Sequence, residues 1–194
     1  MITASHNPPE WLGLKIKGPF GGSVDGTFTA AVERRLAAGS INVPVAGELP
    51  RFDARSEHIA GLRTKLNLDA ISSGLKAMGL RVIVDPMHGS AAGCVSDLLG
   101  TDAEGLVCEI RSQRDPLFGG CPPEPLAAHL QDLIAAVQTS SRNGQPAVGL
   151  VFDGDGDRIA AVDEHGCFCS TQQLMPLLID HLAGARQLPG TVVK

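Results

Sequence analysis

The sequence predicts an α/β fold, with a mostly parallel, helix-covered sheet over about residues 56–186. Three observations carry this expectation. Short apolar runs at 80–85, 106–110 and 147–152 alternate with helical patterns at 56–78, 126–138 and 171–183. Of the 194 residues, 43% are hydrophobic, enough for a sizeable core in one large or two small domains. The run Ala147-Val148-Gly149-Leu150-Val151-Phe152 ends in Asp153-Gly154-Asp155-Gly156-Asp157-Arg158. Ligands of such sheets gather beyond the carboxyl ends of the strands, where this acidic loop falls.

Taken in order, residues 1–9 read as a loop with no strand or helix ahead of it. The domain that opens there is expected to have lost its beginning. Leu14 and Ile16 alternate with Lys15 and Lys17, the pattern of a short half-buried strand, with Lys17 on the surface. Gly18, Pro19, Gly21 and Gly22 make a loop. Residues 27–38 are rich in helix formers, and Gly39 stops them. Residues 40–52, with Pro44 and Pro50, read as an extended connector, and a boundary is expected at 53–57. Residues 56–78 are helical, in one or two pieces around Asn67-Leu68-Asp69, and 80–85 is a buried strand. Pro86-Met87-His88-Gly89-Ser90 turns into a helix through Leu99; His88 is a turn histidine or a domain contact. A strand at 106–110 leads into a Gly/Pro-rich loop at 111–125. An amphipathic helix at 126–138 and a polar loop at 139–146 precede the strand at 147–152. Beyond the acidic loop come a strand and tight turn at 159–166, a helix at 171–183 and a strand beginning at 190.

The net charge is −5 with scattered basic residues, which argues against a nucleic-acid stripe or an anionic-membrane patch. Aromatic residues make up 4%, too few for a base-stacking platform. No run reaches transmembrane length and no signal peptide follows Met1, so the expected location is the cytoplasm. The five cysteines, Cys94, Cys108, Cys121, Cys167 and Cys169, are odd in number and lack a CxxC. Free buried thiols in a reducing compartment are expected.

Three carboxylates at alternate positions repel one another unless a cation sits among them. Gly154 and Gly156 permit the tight backbone that turns all three toward one point. Asp153, Asp155 and Asp157 are therefore candidate ligands of a divalent ion, Mg²⁺ by its taste for carboxylates and phosphate oxygens. An EF-hand would need glycine where Arg158 stands, and helices rather than strands on either side. A haloacid-dehalogenase-type phosphatase, with Asp153 as nucleophile, would have Thr or Val in place of Gly156 and the loop early in its domain. A solvated acidic turn would not need such regular glycine spacing. The second signal is Thr3-Ala4-Ser5-His6-Asn7-Pro8. Alone it could be a plain turn. A phosphorylated Ser5, however, would supply the anionic oxygen that a three-carboxylate Mg²⁺ site lacks.

These two motifs, with Gly13-Leu14-Lys15 between them, resemble the α-D-phosphohexomutase family (phosphoglucomutase/phosphomannomutase). Asp85-Pro86-Met87-His88-Gly89, Arg114-Asp115-Pro116-Leu117-Phe118-Gly119 and Pro123-Glu124-Pro125 look family-like too. The resemblance implies helix-covered mixed, mostly parallel sheets in three-layer α/β/α domains. It makes residues 1–53 the later part of domain 1, 56–188 domain 2 and 189–194 the start of domain 3. It implies interconversion of hexose 1-phosphate and hexose 6-phosphate through a phosphoserine and a 1,6-bisphosphate. Ser5 would be the phosphoserine and a metal ligand beside Asp153, Asp155 and Asp157. Lys15 would be the general base, its pKa lowered by burial near the metal, and His6 would assist proton transfer or anchor the loop. Arg158 would contact a phosphate or pair with a metal-loop carboxylate. Mg²⁺ and an activator of the glucose 1,6-bisphosphate type are the implied cofactors. The family's sugar-selecting and phosphate-gripping loops have no counterpart here, so the chain is expected to be a fragment and inactive alone. The Thr3-Ala4-Ser5 form leans toward glucose or mannose over glucosamine. A non-catalytic metal-binding remnant, a phosphoglucosamine mutase and a dehalogenase-type phosphatase are the alternatives.

Overall fold

The computed structural model describes residues 1–39, 47 and 52–192. The expected connector at 40–52 thus lies almost wholly outside the described residues, as does the end of the strand expected from residue 190; Gly190 to Val192 is irregular. The first part of the chain contains β1 (Ile2–Thr3), β2 (Gly13–Leu14) and α1 (Gly26–Ala37). Next come α2 (Ala54–Arg63), α3 (Leu68–Met78), β3 (Arg81–Asp85), α4 (Cys94–Leu99) and β4 (Val107–Glu109). α5 (Gln131–Arg142), β5 (Ala147–Phe152), β6 (Ile159–Val162), β7 (Phe168–Cys169) and α6 (Thr171–Ile179) complete it.

α1, α2 and α3 start where the sequence offers side-chain acceptors. Asp25 takes the Phe28 N–H at 2.9 Å, Asp53 the Ser56 N–H at 3.0 Å and Asn67 the Ala70 N–H at 3.1 Å. α3 ends at Gly79, whose φ of 60° closes a left-handed cap. Two helices depart from the periodicity. α5 begins at Gln131, not 126, because a 3₁₀ turn at Ala127–His129 precedes it and Arg111 takes the His129 carbonyl. It also runs through Arg142, into the expected polar loop. α6 carries Pro176 and widens into a π-helical turn at Asp180–Ala185.

The main sheet has five strands in the order β4-β3-β5-β6-β7. β3 runs parallel to β4 and β5, with Val84 opposite Glu109 and Leu150. β5–β6 and β6–β7 are antiparallel, with Phe152 opposite Ile159. The mixture follows from connection length. The loop 153–158 is far shorter than the dozen residues a parallel crossover needs, so β6 must fold straight back. Along β5, alternate residues Ala147, Gly149 and Val151 are buried against α5, whose Leu133 lies where a Cβ on Gly149 would sit. Ile83, Met87, Leu130, Leu133, Val137, Ala160 and Val162 complete that core. Val82 and Val84, on the opposite face of β3, are buried as well, as expected for a strand covered on both sides.

The first 39 residues fold differently. β1 and β2 form a two-stranded antiparallel pair, with Ile2 opposite Leu14, where the sequence pattern had suggested loop up to residue 9. α1 buries no residue. The half-buried strand predicted from Leu14 and Ile16 holds in part: Ile16 is half-buried and Lys17 exposed, but Leu14 is 68% exposed while Lys15 is half-buried. The cysteines are free, but none is fully buried: Cys167 is exposed and the other four are half-buried. No helix of the described residues is long and apolar enough to cross a membrane.

Candidate active site

The acidic loop leaves the carboxyl end of β5 and closes on itself. Asp153 N–H donates to the Arg158 carbonyl at 3.3 Å, and Arg158 N–H donates to Asp153 Oδ1 at 3.1 Å. Gly156, at φ 76°, lets its N–H reach the Asp153 carbonyl at 3.1 Å. Gly154 serves a different purpose. Its N–H donates to the Pro123 carbonyl at 3.1 Å, and a Cβ there would overlap the carbonyl oxygen of Ser5. That glycine is what lets the Ser5 loop lie on the aspartate loop.

The structure therefore brings together residues about 150 positions apart. Thr3 Oγ1 donates to Asp155 Oδ2 at 2.8 Å and accepts the Ser5 N–H at 2.8 Å. Lys15 Nζ donates to Asp155 Oδ2 at 3.2 Å and to Asp157 Oδ2 at 3.5 Å. Ser5 has a left-handed φ of 55°, a conformation costing a non-glycine residue on the order of 1 kcal/mol. Its hydroxyl lies 3.4 Å from His6 Nδ1. His6 Nε2 is 3.8 Å from Glu124 Oε1, and the same oxygen is 3.8 Å from Arg158 Nη1. Arg158 Nε stands 4.0 Å from Asp153 Oδ2. These spacings are beyond hydrogen-bond range, and among the described residues the half-exposed guanidinium donates no side-chain hydrogen bond. His88 is a turn histidine, its Nδ1 2.8 Å from the Gln113 carbonyl.

The three carboxylates differ in environment. Burial pushes the Asp153 carboxyl up, the Arg158 N–H pulls it down, and the charges of Asp155 and Asp157 push it up again; the net shift is upward. Burial acts the same way on Asp155, but hydrogen bonds from Thr3 and Lys15 outweigh it and hold that carboxyl low. Asp157 is the exposed member. Each of the three offers an oxygen within 4.8 Å of the others. Among the described residues, Asp153 Oδ2 and Asp155 Oδ1 are buried with no hydrogen-bond partner. An all-oxygen donor set with two orphaned buried carboxylate oxygens fits a hard divalent cation. Flanking strands β5 and β6 leave no place for the helices of an EF-hand. Lys15 differs from its expected state: the Asp155 hydrogen bond, aided by the charges of Asp155 and Asp157, raises its pKa.

Sequence patterns pointed to Ser5, His6, Lys15, Arg158 and the aspartates, and all of these meet at one place. Four further residues contribute to which the sequence reading gave no role. Thr3 carried a signal only in standing two residues before Ser5. Glu124 was marked by a charge clamped between two prolines. Arg111 and the fully buried Asp85 form an ion pair, with Arg111 Nε 3.0 Å from Asp85 Oδ1 and its Nη2 donating to the His129 carbonyl at 3.2 Å. Burial acts to lower the Arg111 pKa, and the Asp85 hydrogen bond and charge more than offset it. The pair ties the loop after β3 to the 111–125 loop, which carries Pro123 and Glu124 into the site.

Comparison with known proteins gives a consistent set of likenesses. Residues 56–166 match the family model for phosphoglucomutase/phosphomannomutase, alpha/beta/alpha domain II, and residues 1–42 match the model for domain I. A phosphoglucosamine mutase of Methanococcus maripaludis is 30% identical over 99% of this chain and 42% of its own length. Another, from Nostoc punctiforme, is 28% identical over the whole chain and 38% of its own length. A solved structure from Thermus thermophilus, described as a phosphomannomutase, superposes with a TM-score of 0.78 at 30% identity. It is matched over 96% of this chain and 40% of that one. The chain thus spans about two fifths of the length of the proteins it matches.

Proposed function

The chain belongs to the phosphoglucomutase/phosphomannomutase family, and from that premise we propose that it carries the phosphoserine and metal-binding halves of a phosphohexomutase active site. Residues 1–53 are read as the later part of the family's first domain, 56–188 as the second and 189–194 as the start of the third. The observation that carries the proposal is the bridge Ser5–Thr3–Asp155, two hydrogen bonds of 2.8 Å of which the second spans 152 positions. Phosphoryl transfer needs a hydroxyl acceptor, a cation on the phosphate and positioned proton-transfer groups, and each has a candidate here.

Asp153, Asp155 and Asp157, with an oxygen of phosphorylated Ser5, are the residues that would hold Mg²⁺. When bound, the ion supplies neutralisation of phosphoryl charge. The protein's own groups account for the protons. As a phosphoryl group passes from a hexose phosphate to Ser5, the sugar O–P bond breaks and the Ser5 Oγ–P bond forms. The Ser5 proton moves to His6 Nδ1, and Lys15, held as the ammonium by Asp155, gives its proton to the departing sugar oxygen. In the reverse direction the neutral amine of Lys15 is the base on the sugar hydroxyl. Arg158 supplies donors to a phosphate. The substrate class is a hexose phosphate, with a hexose 1,6-bisphosphate as the priming species. The names of the curated relatives favour glucosamine phosphate; the structural likeness favours mannose phosphate. Taken alone, the 194 residues are proposed to accept a phosphoryl group without sustaining turnover.

The test is mass spectrometry after incubation with glucose 1,6-bisphosphate or glucosamine 1,6-bisphosphate and Mg²⁺. The expected result is one phosphoryl group on Ser5, with no labelling of Ser5→Ala and none when Mg²⁺ is chelated. Labelling of Asp153 with Ser5 untouched would instead support a dehalogenase-type phosphatase. A chain that binds Mg²⁺ yet stays unlabelled is a metal-binding remnant.

A further inference from the structure

We propose that Glu124 is a positioning residue that holds the Ser5 loop against the aspartate loop, an inference that rests on the roles given above to Ser5 and the aspartates. Its backbone is held first. The Glu124 carbonyl accepts from Leu126 N–H at 2.7 Å and faces His129 Nδ1 at 2.9 Å, and its N–H donates to the Pro122 carbonyl at 2.8 Å. Pro123 and Pro125 fix φ on either side. Pro123 is fully buried, and its carbonyl accepts the Gly154 N–H. The side chain therefore rises from a segment already docked on the aspartate loop, and the Asp85–Arg111 pair braces that segment from behind.

One oxygen of the side chain, Oε1, stands 3.8 Å from His6 Nε2 and 3.8 Å from Arg158 Nη1. One partner belongs to each loop that must meet, the His6 ring to one and the Arg158 guanidinium to the other. The carboxylate is about 30% exposed, so these pairs are weak as sources of stability. What they supply is direction. With Nε2 facing Glu124, His6 presents Nδ1 to the Ser5 hydroxyl at 3.4 Å. When His6 takes the Ser5 proton, the new cation already has its counter-charge. Placing the imidazole between a hydroxyl and a carboxylate is the nucleophile–base–orienter arrangement of hydroxyl activation. No such role followed from the sequence, where Pro123-Glu124-Pro125 was a family-like motif with no function assigned to its carboxylate.

The test uses the 194-residue chain with neither metal nor phosphoryl donor, comparing Glu124→Gln, His6→Gln, the double variant and Glu124→Asp by amide hydrogen exchange and imidazole ¹⁵N shifts. Glu124→Gln should raise exchange of the Ser5 and Asn7 amides by about five-fold, a local opening in an unchanged fold. The Gly154 and Leu126 amides should stay within about two-fold on the same basis. The double variant should exchange no faster than the faster single one. The His6 ring shifts should move in Glu124→Gln and return toward the original values in Glu124→Asp. Unchanged exchange at Ser5 and Asn7, or an increase that adds to that of His6→Gln, or one that spreads equally to Gly154 and Leu126, overturns the proposal. Because phosphate and metal are absent, this result is read separately from Ser5 labelling, and either can fail while the other stands.

Discussion

Replacing Gly154 by alanine adds one methyl group at the joint between the two halves of the site. The φ of Gly154 is in the ordinary range, so the backbone itself tolerates alanine. The obstacle is steric. The new Cβ would overlap the Ser5 carbonyl oxygen and lie 2.9 Å from Pro123 Cγ. Neither neighbour is the free end of a flexible side chain. Overpacking of this kind costs about 1–3 kcal/mol, offset by about 0.4–1 kcal/mol from the stiffer unfolded chain. A net loss of about 1–2 kcal/mol lowers the melting temperature of a chain this size by roughly 2–8 °C. The site should suffer beyond that, because moving the Ser5 loop pulls Thr3 off Asp155. Thermal melts with and without Mg²⁺ measure both parts: a lower Tm, and a smaller rise on adding the ion. Gly156→Ala is the contrast, since it meets only Ser90 Oγ at 3.4 Å and the Ala91 edge beyond it, but must hold a φ of 76°. It should cost about 1 kcal/mol from backbone strain and leave Thr3 on Asp155. A Gly154→Ala protein that melts within about a degree of the original and keeps the full Mg²⁺ response would refute the close approach of the two loops.

Two further outcomes follow from named contacts. Arg111→Leu leaves Asp85 buried and unpaired and should cost about 3–5 kcal/mol in urea unfolding, whereas the double variant with Asp85→Leu should recover much of it; equal losses in both would mean the pair is not what holds the two loops. Asp25, Asp53, Asp102, Asp115 and Asp163 all have lowered carboxyl pKa values from their hydrogen bonds. Depressed folded-state values give stability that is present above the unfolded carboxylate range and lost as pH falls through the folded values. Tm should therefore fall steadily below about pH 4, and a Tm that rises there would mean that the upward-shifted Asp153 outweighs the group.

The elements most legible in the sequence were those set by neighbouring residues. The helix read at 27–38 ahead of Gly39 is α1 to within a residue, and the run 147–152 is a strand from end to end. The departures came where a distant group intervened. α5 starts late because Arg111, 18 positions upstream, captures the His129 carbonyl. Leu14 is exposed and Lys15 half-buried because the ammonium is drawn to Asp155 and Asp157, a force no local alternation records. Lys15 accordingly carries a raised pKa where burial alone would lower it.

By itself the sequence determined the alternating α/β pattern, the family resemblance and the aspartate loop, whose carboxylates and glycines are adjacent and need no partner to be recognised. Only the tertiary structure decided which contacts join that loop to the Ser5 loop. It brought Thr3 onto Asp155, Ser5 over Gly154 and Glu124 between His6 and Arg158. The physical reason is range. Periodicity, capping and turn chemistry act within a few residues, while the meeting of these side chains depends on where the sheet order delivers the ends of β3, β4 and β5 and on the lack of a side chain at Gly154, which lets two backbones touch.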